Sequence, residues 1–212
     1  MKALCAIWDM SKRARRVNDV IAYLLHATAW RETSLIVQAF SRDHGCVALV
    51  AKGAKRPYST LRPVLHTFQP LLLSWSGAGE VKTLVRADIA GLMPLSGAAL
   101  MSAWYMNELL LRLLPREDAY PEVFDAYEAA LRQLASGGPA VAALRRFEWT
   151  LLRETGYGLD EAEPDFSALE NEPGLRARLR ERLAEHLAGR QLATRRVLID
   201  LQRWLAQNQP AA

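Results

Sequence analysis

The stretch that decides the fold is residues 47–86, VALVAKGAKRPYSTLRPVLHTFQPLLLSWSGAGEVKTLVR. It contains three apolar runs rich in β-branched residues, and such runs predict strands. Two very different connections join them. The first, residues 53–63, is polar and basic, whereas the second, Gly77-Ala78-Gly79, is a short turn that returns the chain as a partner strand.

The same pattern continues on both sides of this stretch. We predict strands at Val20–Trp30, Thr33–Ser41, Cys46–Lys52, Val64–Trp75 and Glu80–Ile89, with a tight turn at Asp43-His44-Gly45. Five sequential short strands within about 70 residues, without a helical period between them, favour a small β-barrel of the OB or SH3 type.

The pattern changes to a helical period after Pro94. Apolar residues at helical spacing, bounded by prolines and glycines, predict helices over 96–114, 121–137, 139–156, 174–188 and 194–207. Residues 160–172 hold six carboxylates and no base, which predicts a loop. We therefore predict a basic arm at 1–18, a barrel domain at 19–92 and an all-helical domain at 93–212.

The net charge of +4 over 212 residues is unevenly distributed. Residues 1–90 hold 13 Lys and Arg against 6 Asp and Glu, and the remainder holds 14 against 17. This asymmetry indicates an anionic partner for the first part. Since no apolar run approaches the ~20 residues of a membrane span, and the N-terminus does not resemble a signal peptide, we expect a cytoplasmic protein.

The first connection is the main candidate for nucleic-acid contact. Together with Lys52, which directly precedes it, this connection carries four cations and an aromatic residue, with no carboxylate from Lys52 to Arg62. Cations beside an aromatic ring suit a phosphate backbone with a base to stack on. The predicted contacts here are Lys52, Lys55, Arg56, Arg62 and Tyr58. The alternative is a solvated loop that is basic by chance.

Further candidates lie in the fifth strand and in two turns. Strict alternation places Lys82, Leu84 and Arg86 on one face of the strand, which predicts Lys82 and Arg86 as phosphate contacts. Arg31 and Arg42, in turns of the same barrel, are added to them. Trp75 is a second candidate for base stacking, although a tryptophan at a strand end is often a core residue.

Residues for catalysis or metal binding are not evident in the sequence. Cys5 and Cys46 are far apart, and the four histidines show no metal-ligand spacing. The phosphate-loop and nucleophile-elbow motifs are also missing. We predict a protein that is not an enzyme and has no metal or other cofactor.

Four segments together resemble the RecO family of bacterial recombination mediators. They are residues 32–56, ETSLIVQAFSRDHGCVALVAKGAKR; 61–88, LRPVLHTFQPLLLSWSGAGEVKTLVRAD; 106–114, MNELLLRLL; and 143–158, ALRRFEWTLLRETGYG. The resemblance covers roughly residues 20–160 closely and residues 189–198, GRQLATRRVL, more loosely. It implies an α+β chain: a five-stranded OB-fold barrel followed by a helical domain.

The resemblance also implies a function. Members of this family bind and anneal single-stranded DNA and help a RecA-type recombinase displace single-strand-binding protein, with RecR as a partner, which implies a location at the bacterial nucleoid. The resemblance places the site for the acidic C-terminal tail of single-strand-binding protein around Leu144, Arg145, Arg146 and Phe147.

The chain departs from the family pattern in two places, and the residues alone leave two alternative functions open. Some family members carry a four-cysteine zinc module after the GYG segment, which this chain lacks, and the 158–173 region is shorter than in many members. From the residues alone, an RNA-binding OB module suits the barrel equally well, since both ligands need cations and stacking rings. A helical scaffold for protein interaction is the other alternative. For the two arginines at 145–146, the alternative to a partner site is that both pair with nearby acids such as Glu148 or Asp125.

Overall fold

The chain divides between Leu92 and Met93 into two compact units. The computed structural model describes residues 16–166, 168, 172–194 and 196–197. The first unit contains five strands: β1 Arg16–Trp30, β2 Ser34–Ser41, β3 Gly45–Ala51, β4 Pro70–Ser76 and β5 Val81–Ile89.

These strands close into a barrel in the order β1-β2-β3-β5-β4, with β4 returning to β1. All neighbours are antiparallel except β3 and β5, which pair in parallel through Ala48–Val50 and Val81–Thr83. This order is that of an OB-fold, so the predicted fold class is confirmed. Because β3 and β4 are not neighbours, the chain between them has to cross one end of the barrel.

The connection that crosses the barrel end, residues 52–69, begins earlier and ends later than the sequence predicted. We predicted a strand from Val64, but β4 begins at Pro70. The apolar residues before Pro70 are buried for another reason: Leu65 packs into the barrel core, with Leu61 and Val64 partly buried against it. At the other end of the sheet, β1 begins at Arg16, within the predicted arm, while residues 1–15 lie outside the described part.

Trp75 belongs to the barrel core. Its side chain is only 1% exposed and belongs to the same core cluster as Leu49 of β3 and Leu84 of β5. The His44 ring meets it edge-on, with ring centroids 5.3 Å apart. The prediction that Trp75 stacks on a base is therefore wrong.

A bulge interrupts the alternation of β5. Ser74 lies opposite Arg86 and Trp75 opposite Leu84, so Val85 is an extra residue on the β5 side. Leu84 is consequently buried, whereas Val85 and Arg86 are both exposed. The prediction of one face shared by Lys82, Leu84 and Arg86 is wrong, because an alternation pattern does not reveal a bulge.

The second unit contains four helices within the described residues: α1 Gly97–Leu113, α2 Pro121–Ala135, α3 Ala140–Glu154 and α4 Glu172–His186. Each follows the predicted pattern within a few residues, and Pro121 opens α2 at a position where its missing N–H costs nothing. Most of the helix predicted over 194–207 lies outside the described residues. None of the helices in the described residues is both long and apolar enough to cross a membrane.

Glu108 of α1 joins the chain around residue 194 to this unit. Its carboxylate accepts hydrogen bonds from the backbone N–H groups of Ala193 and Thr194, at 2.8 and 2.9 Å, and from the Thr194 hydroxyl at 2.7 Å. Arg112 forms an ion pair with it at 3.3 Å. Burial opposes ionisation of Glu108, but the hydrogen bonds from Thr194 and Ala193, together with Arg112, outweigh it and lower its pKa.

A lowered pKa in the folded state makes this carboxylate a source of stability above the ordinary pKa of Glu, ~4.3. We expect Glu108→Gln to lower the free energy of unfolding by about 1–2 kcal/mol at pH 7, since a charged acceptor is replaced by a neutral one. The deficit should shrink as the pH falls through the lowered pKa of Glu108, because protonation removes the same charge. Urea denaturation followed by helical circular dichroism at several pH values measures it.

Glu181→Gln is the matched control, because Glu181 is exposed on α4 and loses the same charge. It should leave the unfolding free energy nearly unchanged at every pH. A deficit for Glu108→Gln that stayed constant between pH 7 and pH 3 would contradict the role of its charge.

Candidate nucleic-acid interface

The segment between β3 and β4, residues 52–69, carries Lys52, Lys55, Arg56 and Arg62, and is called here the cationic loop. Its first turn is fixed to the turn between β1 and β2. The Lys55 backbone N–H donates to the Thr33 carbonyl at 2.9 Å, and the Gly53 N–H donates to the Ser34 hydroxyl at 3.4 Å. The structure thus brings the start of the cationic loop beside Arg31 in that turn.

Buried side chains and local hydrogen bonds hold the rest of the cationic loop. Ala54 and Leu65 are buried in the barrel core. The N–H groups of Val64 and Leu65 both donate to the Leu61 carbonyl, at 3.1 and 3.0 Å. The cationic loop is therefore a structured cap on the barrel, and its polar side chains project from a fixed backbone.

The four cations of the cationic loop face solvent. All are exposed, and none forms an ion pair with a carboxylate in the part of the chain that the structure describes. The Arg56 side chain folds over Gly53: a Cβ added there would lie 3.6 Å from Arg56 Cδ. Gly53 also has φ +71°, which favours glycine. Exposed cations without carboxylate partners on a fixed backbone are suited to phosphate groups.

Tyr58 projects from the same loop and is 99% exposed. A tyrosine ring is rarely left entirely in water, since its apolar body gains from burial. Trp30, 46% exposed at the end of β1, is the other large aromatic side chain exposed near this end of the barrel, and Arg31 lies 5.9 Å from its ring centroid.

Three of the predicted contacts lie apart from the cationic loop or are occupied by other groups. Arg86 is exposed but pairs with Asp88 at 2.6 Å. Lys82 lies opposite Leu49, and its amine donates to the Gly79 carbonyl at 3.3 Å. Arg42 lies in the turn at the other end of β2, 3.9 Å from Asp43. The eight residues of β2 span about 24 Å, which separates Arg42 from Arg31.

In the helical unit, Arg145 is engaged internally. Its Nη2 lies 3.1 Å from Glu148 Oε1, and both side chains are nearly buried. The Tyr105 hydroxyl donates to the same oxygen at 2.7 Å. Burial, followed by the charge of Glu148, raises the pKa of Tyr105 well above its ordinary value. The sequence had left this ion pair open as an alternative, and the structure contains it.

The other residues predicted around Arg145 differ in exposure. Phe147 is fully buried, Leu144 is half-buried and Arg146 is exposed. The guanidinium of Arg146 lies 5.4 Å from the ring centroid of Phe166, a distance typical of a cation–π contact. Arg146 is therefore the cation of this pair that a partner is able to reach.

Among the described residues, no three His, Cys, Asp or Glu side chains are arranged to hold a metal ion. The acidic segment after α3 instead forms ion pairs with helical arginines. Glu161 pairs with Arg178 of α4 at 3.1 Å, and Glu163 with Arg153 of α3 at 3.5 Å.

Sequence comparisons identify the relatives of this chain. The family model described as Recombination protein O N terminal matches residues 19–93, and the one described as Recombination protein O C terminal matches residues 95–163. A protein of Aromatoleum aromaticum named DNA repair protein RecO is 61% identical over 68% of this chain and 61% of its own length.

Two further relatives with the same name align over more of the chain. That of Cupriavidus metallidurans is 43% identical over 88% of this chain and 78% of its own length. That of Ralstonia nicotianae is 41% identical over 91% of this chain and 88% of its own length. The two family models together account for most of the barrel and the first three helices, and the chain therefore belongs to the RecO family of DNA repair and recombination proteins.

Proposed function

We propose that the chain binds single-stranded DNA through the cationic loop and the adjacent β1–β2 turn, and anneals complementary strands held there. The observation that carries the proposal is a set of four exposed cations on a backbone fixed to the barrel end, for which the described residues offer no carboxylate partner. OB-folds commonly bind oligonucleotides through their loops and an adjoining sheet face. The family membership of the chain supports DNA as the nucleic acid.

Annealing requires two phosphate backbones to approach each other against their mutual repulsion. Lys and Arg side chains reduce this repulsion by replacing condensed counterions along the strand. Base pairing then releases free energy without any covalent change, so the proposed activity is non-enzymatic. Binding of the chain to a strand covered by single-strand-binding protein would also assist loading of a RecA-type recombinase, because displacement of the covering protein exposes single-stranded DNA.

We also propose that the acidic tail of single-strand-binding protein docks at Arg146. The support is local: Arg146 is exposed, and its guanidinium lies over the ring of Phe166. A cation beside apolar groups suits a peptide that ends in a hydrophobic side chain and a carboxylate. RecR is a second proposed partner, on the basis of the family resemblance.

The first test concerns the cationic loop. We expect the Lys55→Ala/Arg56→Ala double variant to reduce the salt slope of binding to oligo-dT by about 1.4, at ~0.7 for each lost contact. At 0.1 M salt, this corresponds to roughly 20-fold weaker binding. Fluorescence anisotropy with labelled oligo-dT from 0.05 to 0.3 M NaCl measures both, and the same series with RNA compares the two nucleic acids.

The matched control is Arg116→Ala/Arg190→Ala, which removes two exposed cations from the helical unit. It should leave the slope and the affinity for oligo-dT unchanged. An equal loss in the control would indicate a general effect of net charge. An unchanged slope in the Lys55→Ala/Arg56→Ala variant would remove the cationic loop from the interface.

The second test separates the partner site from the DNA site. We expect Arg146→Ala to weaken binding of the tail peptide about tenfold or more, since it removes a charge-assisted contact. Its affinity for oligo-dT should remain that of the wild type. Isothermal titration with the peptide and anisotropy with the oligonucleotide measure the two affinities.

Arg145→Ala provides the contrast, because Arg145 is paired inside the helical unit. It leaves Glu148 as a buried charge without its arginine, which destabilises a protein by about 3–5 kcal/mol. A loss of thermal stability is therefore its expected effect. Normal peptide affinity in Arg146→Ala would contradict the proposed tail site, as would equal losses of peptide and oligonucleotide binding.

A further inference from the structure

The cationic loop encloses an open depression of about 650 Å³. Its walls are largely apolar, formed by the rings of Pro57, Tyr58 and Pro63. Polar groups of Ser59, Thr60, Arg62 and His66 complete the lining. All but Ser59 are exposed, so the depression is open to a ligand from solution.

The backbone of this depression is fixed before any ligand binds. The Ser59 N–H donates to the Arg56 carbonyl at 3.1 Å, and the Leu61 N–H donates to the Ser59 hydroxyl at 3.3 Å. The two prolines restrict their own φ angles, and Leu65 anchors the far side in the barrel core. A ligand therefore binds without the entropic cost of ordering the loop.

The lining suits a planar ring attached to an anion. Tyr58 and the prolines offer flat apolar surfaces, and His66 adds a second exposed aromatic ring. Lys55, Arg56 and Arg62 supply positive charge within the same loop. A simple inorganic anion would use only the cations, and an aliphatic ligand would use only the rings. A nucleotide uses both.

We propose that this depression is a base-binding subsite, in which one unstacked base of a single strand stacks on Tyr58 while the cations hold the flanking phosphates. The inference rests on the proposed function of binding single-stranded DNA. It goes further by assigning base contacts to the loop between β3 and β4, away from the sheet faces. In this proposal Tyr58 stacks on a base and Trp30 does not, although both side chains are exposed.

The proposed subsite gives a physical reason to expect tighter binding of single strands than of duplexes. In a duplex, both faces of each base are covered by neighbouring pairs, so Tyr58 finds no free face. In a single strand, every base has a free π-face, and stacking is therefore tolerant of sequence. The cations alone would bind both forms, since both carry phosphates.

The test compares oligo-dT with an oligomer of the same length and charge whose central residues are abasic. We expect the wild type to bind oligo-dT about 5- to 150-fold more tightly, the range for stacking of one base on an aromatic side chain. Tyr58→Leu should lose this preference while keeping its affinity for the abasic oligomer. Tyr58→Phe should keep the preference, because the ring remains.

Trp30→Leu is the control, because it removes an exposed aromatic side chain that does not line the depression, and it should leave the preference unchanged. Thermal melting checks that each variant is folded. Equal affinity of the wild type for both oligomers, with a normal salt slope, would overturn the subsite and leave the proposed function standing. A preference that disappears in Trp30→Leu but persists in Tyr58→Leu would also overturn it. Binding of neither oligomer by the wild type would contradict the proposed function itself.

Discussion

The structure depends on the anchoring of the cationic loop to the end of the barrel. Four cations within residues 52–62 repel one another, and each exposed like-charge pair costs ~0.2–0.5 kcal/mol by analogy with helical pairs. Burial of one leucine contributes about 1.5–3 kcal/mol, and Leu65 is buried with Leu61 and Val64 partly so. Apolar burial therefore exceeds the charge repulsion, and the loop keeps a defined shape.

The topology explains why such a loop exists. Since β5 lies between β3 and β4, the connection has to pass over the open end of the barrel. Its apolar residues close that end, and its polar residues are left on the outside. The Lys55–Thr33 hydrogen bond then joins the crossing to the β1–β2 turn. One constraint of the strand order thus closes the core and concentrates positive charge at a single surface.

Much of this architecture could be predicted from the sequence, because strand periods and turn residues are local signals. The turns at His44 and at Gly77–Gly79 and the proline at the start of α2 were recognised in this way. The bulge at Val85, the core position of Trp75 and the start of β4 were not. Each depends on contacts with residues distant in the sequence. In addition, a run of apolar residues does not distinguish a strand from a buried loop.

The candidate site likewise combines features with a local sequence signal and features that depend on tertiary contacts. Clustering of the cations in the loop was visible in the sequence, whereas its approach to Arg31 required the tertiary structure. The Arg145–Glu148 ion pair was one of two readings that helical spacing allowed, and only burial distinguished them. The depression beside Tyr58 had a faint sequence signal, the prolines at 57 and 63, which bracket the aromatic residue without indicating a cavity.

The central claim is that single-stranded DNA binds at the cationic loop. Hydrogen–deuterium exchange of the intact chain, with and without saturating oligo-dT at constant salt, tests it most directly. The account predicts that slowed exchange concentrates in residues 52–66 and in the β1–β2 turn at 31–33. Unchanged exchange in both segments, with protection instead at the β2–β3 turn around Arg42 or in the helices, would contradict it.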